Sequence, residues 1–189
     1  KAILGNEELL QRIVDSGSEI GIHGFNHVEL FDLTPEEFDT QLNKTNQLIF
    51  NAIGKYAVGY RAPKFSLNQT TSWAIDVLKN NGFLYDASIY PATSRHYLSV
   101  LSPSAPYKIC SSNVHEKSSN SEFLEFPITL TSTLLGKLPT KIRYFPLSMI
   151  DKTIERHNEA GIPATIFIHP WEVIKPKGKR LLSPKAIMR

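Results

Sequence analysis

A single cysteine, Cys110, leaves the 189-residue chain without the means to form an internal disulfide and gives faint support to a reducing compartment. No apolar run approaches the roughly eighteen residues of a membrane-spanning helix, and no signal-peptide-like segment precedes the first helical pattern. The chain opens on Lys1 rather than Met, as a processed product or a fragment does. Acids are missing beyond Glu172, where Lys175, Lys177, Lys179, Arg180, Lys185 and Arg189 follow. The formal charge of +3 therefore belongs to a basic tail over 175–189, and 15 bases stand against 18 acids before it. Such a tail is a solvated terminus or, in the minority reading, a contact for an anionic polymer or membrane surface. No aromatic residue interleaves it, which argues against nucleic acid as the partner.

With 41% hydrophobic and 21% charged residues, the chain is long enough to bury one substantial core, expected over 1–174. A helix is expected over 6–16, with Asn6 as cap and Leu9, Leu10, Ile13 and Val14 on one stripe. A strand over 18–23 follows. The strongest helix signal is Thr34-Pro35-Glu36-Glu37, a capping box with proline at the first helical position. Behind it Phe38, Leu42, Thr45, Ile49 and Ala52 recur at helical spacing up to Gly54. Further strands are expected at 57–61, 83–86, 122–130 and 163–168, the last of them buried, and further helices at 68–81 and 146–160. Residues 90–121, rich in Ser and Pro, form a long irregular segment of the kind that is usually functional or mobile.

Strands alternating with helices imply an α/β fold with a parallel sheet, open or closed into a barrel. In either form the site lies beyond the carboxyl ends of the strands. His23, Arg61, Asp86 and His169 each stand just after an apolar run, at four such ends. His23 and His27, four residues apart with Gly21 and Gly24 beside the first, can converge on one divalent metal if the chain turns there. They can equally be two ordinary loop histidines. The pair is not the helical zinc-protease motif, because Gly24 occupies the place of its glutamate.

The ordered segments Ile22-His23-Gly24-Phe25-Asn26-His27, Tyr60-Arg61-Ala62-Pro63-Lys64-Phe65, Tyr85-Asp86-Ala87-Ser88-Ile89-Tyr90-Pro91 and Phe167-Ile168-His169-Pro170-Trp171-Glu172 resemble the motifs of the polysaccharide deacetylases. These are the chitooligosaccharide-deacetylase-like carbohydrate esterases, and the likeness is to their bacterial extracellular and capsular polysaccharide branch. The resemblance implies a distorted, incomplete (β/α) barrel without its first strand. It also implies hydrolysis of sugar N-acetyl groups with zinc or another divalent metal. Carried over residue by residue, it makes His23 and His27 metal ligands and His169 the general acid. Arg61 becomes the groove residue that orients the base, Asp86 the carboxylate that tunes the acid, and Ile168 the wall for the acetyl methyl group. Pro63 belongs to the same groove motif. Trp171 floors the pocket or packs structurally, and His96, between Arg95 and Tyr97, lines a sugar groove or is an ordinary loop residue.

These roles make chemical sense. An amide carbonyl needs polarisation and a hydroxide-like nucleophile, and the departing amine needs a proton from a group near neutrality. One departure stands out: no Phe-Asp-Asp-like segment, the resemblance's source of base and third ligand, occurs upstream of Asn6. Glu29, Asp32, Asp86 or Glu172 could substitute, and truncation is the favoured explanation. The expected function is zinc-dependent N-deacetylation of a polysaccharide or its glycan precursor, in the bacterial cytoplasm or envelope. The alternative is a carbohydrate-binding or scaffold remnant that has lost the chemistry.

Overall fold

The computed structural model describes residues 4–91, 102–134, 136–169 and 172. Its centre is a sheet in the order β1-β2-β4-β3, formed by β1 (Gly59–Tyr60), β2 (Tyr85–Asp86), β4 (Leu124–Glu125) and β3 (Tyr107–Lys108). β1, β2 and β4 run parallel, β3 is antiparallel to β4, and Ile22 bridges to Tyr60 in parallel at the other edge. The register puts Ile22, Tyr60, Asp86, Glu125 and Tyr107 side by side in one row, and all five are buried. Side chains of directly paired residues share a face, so this row looks into the helical layer. The residues on either side of it look the opposite way, and these form the cleft described below.

The helices cover the row because their apolar stripes match it. α2 (Pro35–Ile53) carries the expected capping box: Thr34 accepts from the Glu37 N–H while Glu37 accepts from the Thr34 N–H. Gly54, at φ 69°, ends the helix in the left-handed region that glycine enters without strain. Phe38, Leu42, Thr45 and Ile49 are buried, as the spacing requires. Phe38 sets its ring edge-on to both Tyr60 and Trp73, with centroids 5.2 and 5.7 Å away. α3 (Trp73–Asn80) buries Ala74, Ile75 and Leu78. α1 (Glu7–Asp15) packs more loosely: Leu10, Ile13 and Val14 are half-buried, Leu9 is exposed, and the Asn6 side chain makes no capping bond.

Three expectations need correction. The segment 90–121 is not irregular throughout, since it supplies β3 and buries Tyr107, Ile109 and Val114 against the core. The expected helix over 68–81 begins as a 3-10 turn at Gln69–Thr71 before α3. The expected buried strand over 163–168 is half-buried chain that, among the described residues, pairs through a bridge from Phe167 to Lys141 and hydrogen bonds between Thr165 and Thr129. A hairpin of β5 (Leu130–Thr133) and β6 (Gly136–Pro139) packs instead on α4 (Leu147–Glu159). The expected basic tail lies outside the described residues.

Candidate active site

A cleft of about 350 Å³ opens on the face of the sheet opposite the buried row. Two glycines shape it. A Cβ on Gly59 would stand 2.2 Å from the Tyr85 ring, and one on Gly21 would stand 3.2 Å from the Gly59 carbonyl oxygen. The missing side chain at Gly59 lets the Tyr85 ring cross β1 and its hydroxyl donate to Glu19, while the one at Gly21 lets the Gly59 backbone approach closely. His23, Arg61, Ala87, Phe167, Ile168 and His169 line the rest.

His23 and His27 are brought together as the sequence suggested, with ring centroids 5.0 Å apart and planes nearly perpendicular. The turn depends on Gly24 at φ 72° and on His27 itself at φ 58°. A Cβ on Gly24 would meet Pro63 at 2.9 Å, which gives buried Pro63 its place beneath the turn. His23 Nδ1 lies 2.8 Å from the Arg61 carbonyl oxygen. A carbonyl only accepts, so Nδ1 carries the proton and Nε2 keeps its lone pair. Desolvation first, then the charges of His27, Arg61 and His169, hold the His23 pKa below its ordinary value, which favours the neutral, ligating form.

The Arg61 guanidinium is fixed by its own Nε, which donates to the Ala87 carbonyl at 2.9 Å. The next residues make a tight 3-10 turn, Pro63–Phe65, in which Lys64 and Phe65 both take positive φ, 52° and 56°. With His27 these are the non-glycine residues in the left-handed region among the described residues, and each lies within four residues of the cleft-lining His23 or Arg61 in the chain. The turn is held by Lys64 paired to Glu29, by the Leu30 N–H donating to Ser66 Oγ at 3.0 Å, and by Phe65 edge-on to Phe167.

His169 faces the same space, its ring 4.5 Å from that of Phe167. The carboxylate at its side is Glu172: Oε1 lies 3.7 Å from Nδ1, and Oε2 accepts from the His169 N–H at 3.1 Å. Ile168 lines the cleft and stays exposed. Asp86 is placed differently. It is fully buried in the helix-facing row, where Ser88 donates to it from Oγ at 2.7 Å and from its N–H at 2.9 Å. Trp171 and His96 lie outside the described residues. Tyr85 and Glu125 escaped the sequence reading; the register of β2 against β4, which no local pattern carries, is what would have found Glu125.

Residues 1–85 match the family model for polysaccharide deacetylases, and residues 87–189 match the domain of unknown function DUF3473. The chain is 40% identical over 77 residues to the peptidoglycan deacetylase-like protein of Gibberella zeae, covering 41% of this chain and 22% of that protein. It is 34% identical over 82 residues to the peptidoglycan deacetylase of Helicobacter pylori, covering 43% of this chain and 27% of that one. It thus spans about a quarter of the length of these relatives. A probable polysaccharide deacetylase from Pseudomonas aeruginosa superposes with a TM-score of 0.57 at 17% identity, over 89% of this chain and 52% of that one, which establishes a shared fold. The two matched segments meet at β2, and β2 is hydrogen-bonded to a strand from each, so they build one sheet. The chain belongs to the proteins that carry the DUF3473 domain, here over residues 87–189, and its first 85 residues form a segment of polysaccharide deacetylase type.

Proposed function

We propose that the cleft is a metal-dependent hydrolytic site that removes N-acetyl groups from a polysaccharide or its glycan precursor. The observation that carries this reading is the convergence of His23, Arg61 and His169 on one cleft of about 350 Å³ with His27 beside it. That volume falls at the lower end of small-molecule sites, of the size that holds a sugar ring and its acyl group.

The donor set fits a metal in part. His23 has Nε2 available and His27 stands next to it, and among the described residues no third His, Cys, Asp or Glu joins them. Two imidazoles would supply two of the three protein ligands usual in a catalytic zinc site, so a third donor would have to complete the set. Zinc bound there would polarise the acyl carbonyl and activate water. The remaining roles belong to the chain itself. Arg61, seated on the Ala87 carbonyl, holds a fixed positive charge at the cleft wall for an acidic base or a developing oxyanion. As the C–N bond breaks, the departing nitrogen takes a proton, and this reading gives that role to His169, whose Nδ1 lies 3.7 Å from Glu172 Oε1. Ile168 offers an aliphatic wall to the acetyl methyl group.

Acetate release from N-acetylglucosamine oligomers, with zinc supplied, tests the reading. The His169→Ala variant is expected to lose about 10²- to 10⁴-fold in rate. Oligomer binding by the wild-type chain without acetate release would favour the non-catalytic carbohydrate-binding reading.

A further inference from the structure

We propose that Glu125 is a positioning residue for the cleft, sharing a single proton with Asp86 and thereby fixing the segment that seats Arg61 and, through Arg61, His23. The pair sits in the wrong place for two anions. Asp86 and Glu125 are directly opposed on parallel strands, both fully buried, in a row otherwise made of Ile22, Tyr60 and Tyr107. Like charges facing each other across a ladder repel, and two desolvated carboxylates side by side cost far more than one.

The hydrogen bonds show which carboxyl holds the proton. Asp86 receives two donors from Ser88, the environment of an anion. Glu125 receives one at Oε1, from the Ile89 N–H at 2.8 Å, while its buried Oε2 meets no donor among the described residues. The two carboxyls lie within hydrogen-bonding reach of each other. A proton on Glu125, donated to Asp86, satisfies the orphaned oxygen and leaves one negative charge on the pair against the Arg61 cation. The groups facing the pair agree: Arg61 is the charge that acts on both carboxyls, and burial keeps the Tyr60 and Tyr107 hydroxyls protonated. Burial, followed by the Asp86 charge, pushes the Glu125 carboxyl well above the ordinary range.

The path to the cleft is a continuous set of hydrogen bonds through 86–89. Glu125 holds Ile89, and Asp86 holds Ser88. Ser88 Oγ accepts from the Ala62 N–H at 2.7 Å, tying that segment to the residue after Arg61. Ala87, between these anchors, presents the carbonyl that takes Arg61 Nε, and the Arg61 carbonyl takes His23 Nδ1. The positioning role rests on the cleft being the reactive site proposed above; the shared proton does not.

The test needs neither metal nor substrate. In the whole chain, carbon-13 labelling of glutamate carboxyls follows Glu125, and nitrogen-15 labelling of histidine rings reports the His23 tautomer. Glu125 is expected to be protonated at pH 7. Glu125→Gln, whose amide oxygen can accept from Ile89 and whose amide nitrogen can donate to Asp86, should keep the Nδ1–H tautomer of His23. Glu125→Ala should lose it and show mixed tautomers. An ionised Glu125 at pH 7, or a Gln variant that loses the tautomer, would overturn the proposal. A folded Ala variant that keeps the tautomer would overturn it as well. If the Ala variant does not fold, the wild-type titration and the Gln variant still decide. Acetate release by the same proteins then bears separately on the deacetylase reading, since its absence in the wild type leaves the carboxyl and tautomer measurements intact.

Discussion

Arg61 is the residue on which most of the cleft's geometry depends, because three of its groups are committed at once. Its backbone N–H donates to the Ile22 carbonyl at 2.9 Å, its own carbonyl fixes His23, and its Nε is held by Ala87. Lysine keeps the charge but has no planar fork with which to grip the Ala87 carbonyl while presenting the rest of its charge to the cleft. Arg61→Lys is therefore expected to lower acetate release by about a hundredfold, the cost of a small misplacement at a reacting centre, and to weaken zinc binding, because the contact through Ala87 also seats His23. Zinc titration alongside the kinetics checks both halves of that expectation.

Among the elements, the pairing of residues 21–23 with β1, made through the Ile22–Tyr60 bridge, depends on glycine. Tyr85 can cross β1 only while Gly59 lacks a side chain, since a Cβ there would penetrate the ring. Gly59→Ala is expected to cost roughly 1–3 kcal/mol through overpacking and to displace Tyr85 from Glu19, as thermal unfolding would show. How far each element could be seen in the sequence follows from where its information sits. α2 was fully visible because cap, period and terminating glycine are all local. His23, Arg61 and His169 were visible because each follows an apolar run, and the cleft gathers all three. The β5–β6 hairpin was not, because its inward face is built of hydroxyls rather than apolar groups. Thr131 and Thr140 join through their Oγ1 atoms at 2.8 Å and Thr153 reaches Thr131, so no hydrophobic alternation marks the strand. Asp86 stands at a strand end like the cleft-lining residues, but its register turns it toward the helices, and register is a long-range property.

For the molecule as a whole, the buried carboxyl pair makes stability depend on pH in an unusual direction. Most acids in proteins have depressed values and stabilise the fold as pH rises; Glu125 has a raised one. Its contribution is fully present below the ordinary carboxyl value, about 4.3, and is lost as pH rises through the higher folded value. Urea unfolding of the wild type should therefore show stability declining above the ordinary carboxyl range, and Glu125→Gln should flatten that decline. A wild-type profile with no such decline would contradict the shared proton.

The central claim, that the two halves of the sheet assemble a metal-dependent site around His23 and His27, is tested most directly by zinc titration of the purified chain beside its His27→Ala variant. The account predicts one zinc per wild-type chain and, because a lost ligand costs more than the 10- to 100-fold of a lost supporting contact, an affinity at least about a hundredfold weaker in the variant. Equal zinc binding by the two proteins, or none by the wild type, would contradict it.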